Sequence, residues 1–308
     1  MSIERAVISE KGSVGAGAGR ITRLIVTYNS AAVLPWQAEH SARLPCLVVD
    51  NASRDDTPRV AERLGYRVLC LGANHGFGRG VMAGLGAVET EYALVLNPDA
   101  AIGEIGVARL LTVAERHRSA DLFLPRVVDS QGNVHFRHDT SIEPRDPGRH
   151  VPDGTACIAM VSGAVMLIRV RPFLDFGGFD PAIFLYFEDD DLALRYRAAR
   201  RPMIFVPEAE ALHLGDQSSG NDEGANRVKD ISFGWSRAYL MRKHRRGRPL
   251  FCLLGMLAKW PVYLISGRFQ RLRRQTGRIF GFWTAVRGRP APFLPASEPD
   301  GTGRLTRP

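Results

Sequence analysis

The sequence predicts an α/β protein, with a mostly parallel sheet flanked by helices and a basic, helical appendage at the C-terminal end. Three observations predict this. Short apolar runs alternate with stretches of helical length through the first hundred residues, the pattern of βαβ units. A chain of 308 residues holds one sizeable core plus an appendage, since single cores stop growing near ~250–300 residues. Charge is also unevenly distributed: residues 227–290 carry sixteen Lys or Arg against one acid, Asp230, a balance of +15, whereas the remainder sums to −6.

Ile21–Thr27 is a continuous apolar run and Pro45–Asp50 a second, with a helix-length stretch at 31–42 between them, which makes the first βαβ unit. A short helix follows over Thr57–Leu64, then a strand over Arg67–Leu71, a helix of small residues over Gly80–Thr90 and a fourth strand over Tyr92–Leu96. From Arg126 to Pro152 the chain turns polar and rich in His, Pro, Asp and Gly, as loops or a hairpin over one edge of a site would be. Strand-like composition returns over Ile158–Val170, a helix falls within Phe184–Arg200, and Arg201–Val206 is a further strand. The expected organisation is a flexible leader (1–20), a main domain (21–225), a basic amphipathic helical segment (226–287) and a flexible tail (288–308).

Composition narrows the class. Hydrophobic content of 45% with 24% charged residues excludes wholesale disorder and a polytopic membrane protein. The four cysteines form no Cys-x-x-Cys pair and no zinc spacing, which suits a reducing cytosol. Met1–Arg20 has no apolar stretch of signal-peptide length, so no export is expected.

In open α/β sheets ligands lie beyond the carboxyl ends of the strands, so the informative residues follow each apolar run. Asp50 opens Asp-Asn-Ala-Ser-Arg-Asp-Asp. This is either a loop in which Asp and Ser cap backbone amides, or a carboxylate placed to accept the imide N–H of a pyrimidine base. Asn97-Pro98-Asp99 is either a turn or the placement of a hard-cation ligand shared with a diphosphate, for which Mg²⁺ or Mn²⁺ is suited. Asn74–Gly80 is glycine-rich and loosely satisfies a dinucleotide fingerprint, but that fingerprint belongs after the first strand, where this chain has Thr27-Tyr28-Asn29-Ser30. Those glycines let backbone pass close to a ligand or tighten a turn.

The densest signal is Phe173–Arg195, in which four consecutive acids, Glu188 to Asp191, open a helix directly after an aromatic-rich run. Apolar walls desolvate carboxylates and raise their pKa, which makes a stronger base. Helix-dipole complementarity and an Asp191–Arg195 pair at i, i+4 account for one or two of the four acids and leave the aromatics unexplained. His213, after a strand and before a Gly/Ser loop, is a structural histidine or a contact to metal or diphosphate.

At these residues the chain resembles family 2 glycosyltransferases of the GT-A fold, rhamnosyltransferase-like, over roughly Ile21–Gly220. Five elements occur in the family's order: Thr27-Tyr28-Asn29-Ser30, Val49–Ser53, Asn74-x-Gly-Phe-Gly78, Leu96–Asp99, and Gly177–Asp180 leading to Glu188-Asp189-x-Asp191-Leu192. The resemblance implies that Asp189 is the catalytic base and that Asp99 and His213 hold Mg²⁺ or Mn²⁺. It puts Thr27, Tyr28, Asn29, Asp50, Asn51, Ser53, Asn74, Gly76, Phe77, Gly78 and Asn97 on the donor, with Asp50 at the pyrimidine. Gly178, Asp180, Glu188, Asp191 and Arg195 fall on the acceptor side. One departure is Met82, where the glycine-rich motif usually carries Asn.

The implied activity is inverting transfer of rhamnose or another deoxyhexose from a dTDP- or UDP-sugar to a lipid-linked saccharide. The rival classes are a nucleotidyltransferase, which would need a basic Gly-rich loop after the first strand, and a non-catalytic scaffold. Leu250–Ser266 is apolar, shorter than the ~20 residues of a spanning helix, and flanked by arginines. It reads as an interfacial helix on anionic lipid with Trp260 and Tyr263 at headgroup level, or as a helix packed on the main domain. The expected location is the cytoplasmic membrane face, as a peripheral protein, and no nucleic-acid partner is expected.

Overall fold

The computed structural model describes residues 19–144, 150–215, 223–296 and 304–306; the leader at 1–18 and the loop at 216–220 lie outside them. Strands β1 (Ile21–Thr27), β2 (Cys46–Asp50), β3 (Arg67–Cys70) and β4 (Tyr92–Leu96) pair in parallel in the order β3-β2-β1-β4. Their residues alternate between two buried faces, which is why the strands read as continuous apolar runs. Ile21, Ile25, Val48 and Leu94 pack toward α1 (Leu34–His40), α2 (Thr57–Arg63) and α4 (Glu104–Arg116). Leu24, Val26, Val49 and Val95 pack toward α3 (Gly76–Gly86), α5 (Val170–Asp175) and α6 (Glu188–Ala198). The chain steps from β1 to β2 and β3 on one side and returns to β4 on the other, so the crevice at the carboxyl ends of β1 and β4 is a topological switch point.

Beyond β4 the sheet is mixed, with parallel and antiparallel pairs, whereas β3-β2-β1-β4 is wholly parallel as expected. The β8 strand (Val165–Arg169) runs antiparallel to both β4 and β6 (Leu122–Val128), and the described residues between β6 and β8 include no crossover helix of the kind that would make the strands parallel. β9 (Met203–His213) is parallel to β6, with β5 (Ala100–Ile102) and β7 (Ala156–Cys157) antiparallel to it. Three boundaries differ from the sequence expectation. The strand predicted from Ile158 begins at Val165, after Ser162-Gly163. β9 continues past Val206 to His213, because the register shifts there from Pro125↔Val206 to Arg126↔Glu210 and leaves Pro207, which has no N–H to donate, in the irregularity. The α3 helix starts at Gly76, not Gly80, which places the glycines in its first turn.

The C-terminal region forms α7 (Glu223–Lys243), α8 (Pro249–Ile265) and α9 (Phe269–Val286). Trp235, Ala238 and Met241 of α7 and Phe282 of α9 share one apolar cluster with Phe184, Phe187 and Leu194 of the main domain, so this pair is part of the body. By contrast α8 has no buried residue. The expected flexible tail is also engaged: Phe293 and Leu294 pack on that cluster, and Arg304–Thr306 forms β10, antiparallel to β3, which satisfies backbone groups of an edge strand.

Candidate active site

At the end of β2, Asp50 is 2% exposed. Its carboxylate accepts from Ser53 N at 2.9 Å, Ser53 Oγ at 2.5 Å and Thr27 Oγ1 at 3.2 Å. The capping reading therefore holds, and of the about four acceptor directions of a carboxylate one remains. Asn29 and Ala52 take left-handed backbone, φ 54° and 60°, on either side of this carboxylate. Such strain in a non-glycine residue, which Asn tolerates better than Ala, concentrates at binding sites. Asn29 N donates to Ser53 Oγ at 2.9 Å and Arg54 N to Asn29 Oδ1 at 2.8 Å, which locks the β1 and β2 loops together; Tyr28 N meets Ser30 Oγ at 3.3 Å. Asn51 extends the lock to α3, donating to Gly76 O at 2.9 Å and accepting from His75 N at 3.0 Å. Asn74 Oδ1 accepts from Gly76 N at 2.9 Å.

Gly76 has φ +81°, and a Cβ there would fall 1.7 Å from the Phe184 carbonyl oxygen. Only glycine admits this approach, and it ties the first turn of α3 to the segment that leads into the four acids. Phe77 meets Phe179 edge-on at 6.0 Å, and a Cβ on Gly78 would come 3.1 Å from Phe179 Cβ. The glycine-rich motif thus has a packing role next to the acidic helix. Gly178 has φ +51°, and a Cβ there would fall 2.2 Å from Met82 Sδ, so the unusual Met82 fills space against the Gly177-Gly178 turn.

After β4, the Asn97-Pro98-Asp99 turn closes with Ala100 N donating to Asn97 O at 3.0 Å. It turns Asp99, 1% exposed, toward His213 at the end of β9: Nε2 lies 3.3 Å from Asp99 Oδ1, and the Ala100↔His213 register holds them together. His213 therefore ends a strand where a loop position was expected. Among the described residues no three or more His, Cys, Asp and Glu are disposed to hold a metal ion by themselves, so this pair binds a cation only with oxygens from a ligand or water.

On α6, four adjacent acids have divided fates. Asp190, fully buried, takes Arg137 Nη2 at 2.9 Å and 3.0 Å and Ser141 N at 2.5 Å. Asp191, also fully buried, takes Arg195 Nε at 2.8 Å, Lys243 Nζ at 2.7 Å and His244 Nε2 at 2.7 Å. Glu188 has no ion pair among the described residues, and Asp189 has only Arg137 Nη1 at 3.5 Å, an arginine it shares with Asp190. Burial, reinforced by the Asp189 carboxylate, raises Glu188 to about 8; burial and the Asp190 carboxylate, opposed by Arg137 at 3.5 Å, raise Asp189 to about 7. With 20% of its side chain exposed, Asp189 stays within reach of a hydroxyl. A base must be ionised, so kcat/KM is expected to rise with pH through about 7 instead of through the ordinary carboxylate range. Glu188 still holds its proton there, and Glu188→Gln, which mimics that state, should leave the limb within half a unit, about 0.7 kcal/mol, in a pH-rate profile. A limb near 4 would remove Asp189 from the protonic step.

Residues 24–173 match the family described as Glycosyl transferase family 2. That stretch is similar to a family 2 glycosyltransferase domain. The chain is 28% identical over 272 residues to an N-acetylglucosaminyl-diphospho-decaprenol L-rhamnosyltransferase of Mycobacterium tuberculosis, covering 74% of this chain and 86% of that one. Its fold resembles the mannosyltransferase PcManGT of Pyrobaculum calidifontis in complex with GDP-Man and Mn²⁺ (TM-score 0.53, 12% identity, 90% of this chain and 89% of that one). It also resembles GalNAc-T7 with UDP, GalNAc and Mn²⁺ (TM-score 0.55, 13% identity, 73% and 50%).

Several polar residues of the transferase site carried no sequence signal. Arg137 lies in the polar segment 126–152, which does cover the acidic helix, but nothing local marked which of its residues reaches it. Lys243 and His244 belong to a basic run assigned from composition to lipid; both are spent inside the protein, on Asp180 and Asp191. Asp180, Asp191 and Arg195, expected toward an acceptor, are likewise engaged internally. Asp180 meets Lys243 at 2.6 Å and Tyr239 Oη at 2.8 Å, and Arg195 also donates to the Gly178 carbonyl.

Proposed function

We propose that this glycosyltransferase moves a 6-deoxyhexose, rhamnose foremost, with inversion, from a dTDP- or UDP-sugar to a hydroxyl of a polyprenyl-diphosphate-linked saccharide. The observation that carries this reading is Asp189, raised to about 7 and held only by Arg137 at 3.5 Å, an arginine that sits closer to Asp190, on a helix whose next two acids are both tightly ion-paired. The M. tuberculosis relative, named for rhamnosyl transfer to a diphospho-decaprenol saccharide, supports the substrate class. Asp189 takes the acceptor hydroxyl proton as that oxygen forms its bond to the anomeric carbon. The anomeric C–O bond to the diphosphate breaks on the opposite face, and its electron pair leaves on the nucleoside diphosphate. Asp50, with one acceptor direction left, receives the pyrimidine N–H, and Thr27, Tyr28, Asn29, Asn51, Ser53, Asn74 and Asn97 line the donor side.

Asp99 and His213 fit a divalent cation, being a buried carboxylate and an imidazole 3.3 Å apart at the switch point. Bound there, Mg²⁺ or Mn²⁺ would offset charge on the departing diphosphate as a Lewis acid. The imidazole nitrogen favours Mn²⁺, whose shell admits nitrogen more readily. Purified protein assayed with dTDP-rhamnose, UDP- and GDP-sugars on N-acetylglucosaminyl-diphospho-polyprenol tests the reading. Transfer from dTDP-rhamnose or a UDP-deoxysugar is expected, and transfer from the GDP-sugars alone would overturn the assignment of Asp50 and of the donor.

A lipid-linked acceptor supports a location at a membrane surface. No helix among the described residues is long and apolar enough to cross a membrane. Instead α8 and its flanks expose Leu250, Phe251, Leu254, Val262, Ile265 and Phe269, with Ile265 87% exposed. Arg245, Arg271 and Arg274 are exposed beside this face, whereas Arg246 and Arg273 are paired to Glu143 and Glu223. An apolar face ringed by arginine is the chemistry of an interfacial helix on anionic lipid. Replacing Arg245, Arg271 and Arg274 with Gln should weaken binding to vesicles containing phosphatidylglycerol by on the order of 3 kcal/mol, about 1 kcal/mol per residue. Parent protein indifferent to anionic lipid, or binding polynucleotide instead, would remove the membrane from this account.

A further inference from the structure

The segment 180–191 carries the proposed base, and its two ends are held by one ammonium group. Lys243 Nζ lies 2.6 Å from Asp180 Oδ2 and 2.7 Å from Asp191 Oδ1. Between these carboxylates the chain makes a turn that does not sustain itself: Tyr186 and Phe187 both have left-handed backbone, φ 68° and 65°, directly before Glu188 and Asp189. Each such non-glycine residue is strained and persists only where its surroundings over-determine it.

The surroundings that do so come from α7. Phe233 packs on Phe187 at 4.9 Å and on Tyr186 at 5.8 Å; Ser236 Oγ donates to Leu185 O at 2.8 Å; Tyr239 Oη donates to Asp180 at 2.8 Å. His244, the residue after α7, reaches Asp191 at 2.7 Å. Asp191 is fully buried and one residue removed from Asp190, so the orientation of the first turn of α6 is set through it.

We propose that Lys243 and His244 are positioning residues for the transfer reaction: Lys243 staples Asp180 to Asp191 and His244 holds Asp191, and together they keep the left-handed turn that aims Asp189 at the acceptor hydroxyl, which makes α7 part of the catalytic unit. This rests on Asp189 being the base. Neither residue touches substrate, and the donor contacts on β1, β2 and β4 lie on other elements. Loss of the staple therefore acts on kcat and leaves donor binding in place. A buried carboxylate that loses one of its three polar partners, Arg195, Lys243 and His244, keeps the other two, so the single variants retain the fold.

The test measures kcat, donor KM, donor affinity by calorimetry and Tm for Lys243→Met, His244→Gln, Lys243→Arg and Tyr239→Phe, alongside Asp189→Asn. Lys243→Met should lower kcat by about tenfold to a hundredfold, the effect of misplacing a group by about 1 Å, with donor KM within about twofold. Lys243→Arg, which keeps a cation between the two carboxylates, should recover most of that loss. A folded Lys243→Met protein with parental kcat overturns the proposal, and so does a loss that appears equally in donor affinity and is not recovered by Arg. If Lys243→Met does not fold, Tyr239→Phe decides: it removes one hydroxyl from Asp180, and a parental kcat in it overturns the proposal while a reduced kcat at unchanged donor affinity supports it. Activity surviving in Asp189→Asn sinks the base assignment itself, a result separate from any of these.

Discussion

Asp189→Asn is expected to abolish sugar transfer, by about a hundred- to ten-thousand-fold in kcat, while donor affinity stays within about twofold. The asymmetry follows from position: Asp189 sits at the start of α6, beside the acceptor in the proposed mechanism, and the donor contacts are on the sheet edge. The same substitution should raise Tm at pH 8. Burial raises Asp189 to about 7 in the folded protein, above its usual 3.8, so the folded state binds the extra proton between those values. The stability contributed is present in full below about 4 and is lost as pH rises through about 7. Asparagine carries no charge to desolvate and escapes that loss, which is worth at least about 1.4 kcal/mol if one unit of the shift is realised. A variant that loses activity and stability together would point to a structural role, and one that transfers sugar at more than about a tenth of the parent rate would rule out general-base catalysis here.

How much of this was legible in the sequence depends on what a local pattern can encode. β1 to β4 were readable because each is buried on both faces, and Asp50 and Asp99 stood out because each ends such a run. The acidic helix announced itself by density of charge after aromatics, and the i, i+4 spacing gave the Asp191–Arg195 pair. Periodicity reports that a face is buried and is silent about its partner. The antiparallel insertion of β8, the dependence of Gly76 on the Phe184 carbonyl, and the reach of Arg137 to Asp189 and Asp190 are all set by residues distant in the chain. The basic run 242–248 shows the same limit. Composition treats its charges as one surface, whereas the fold turns Lys243 and His244 onto two carboxylates, pairs Arg246 with Glu143, and leaves Arg245 exposed. Glu143 shows the strength of such pairing: burial alone would raise it, yet Arg197 and Thr140 hold it down at about 2.

Chelation should stop turnover, and Asp99→Ala should resist rescue by added metal. The Asn97-Pro98-Asp99 turn and the end of β9 bring a carboxylate that is 1% exposed within 3.3 Å of His213 Nε2, and neither strand needs that pair for its own hydrogen bonding. With EDTA, transfer should fall by at least about a hundredfold, the scale on which loss of one charge-stabilising group slows a reaction that expels an anion. Mn²⁺ should restore the parent fully and Mg²⁺ less completely, because His213 offers nitrogen where Mg²⁺ prefers a shell of oxygen. His213→Asn should narrow that difference, whereas Asp99→Ala should remove the response to both ions. A second readout is independent of turnover: nucleoside diphosphate titrated calorimetrically should bind the parent more tightly with Mn²⁺ present, and bind Asp99→Ala equally with and without it. Full transfer in EDTA, together with nucleotide affinity indifferent to Mn²⁺, would assign Asp99 and His213 to holding β5 against β9 and leave the departing diphosphate to be stabilised by the protein's own donors.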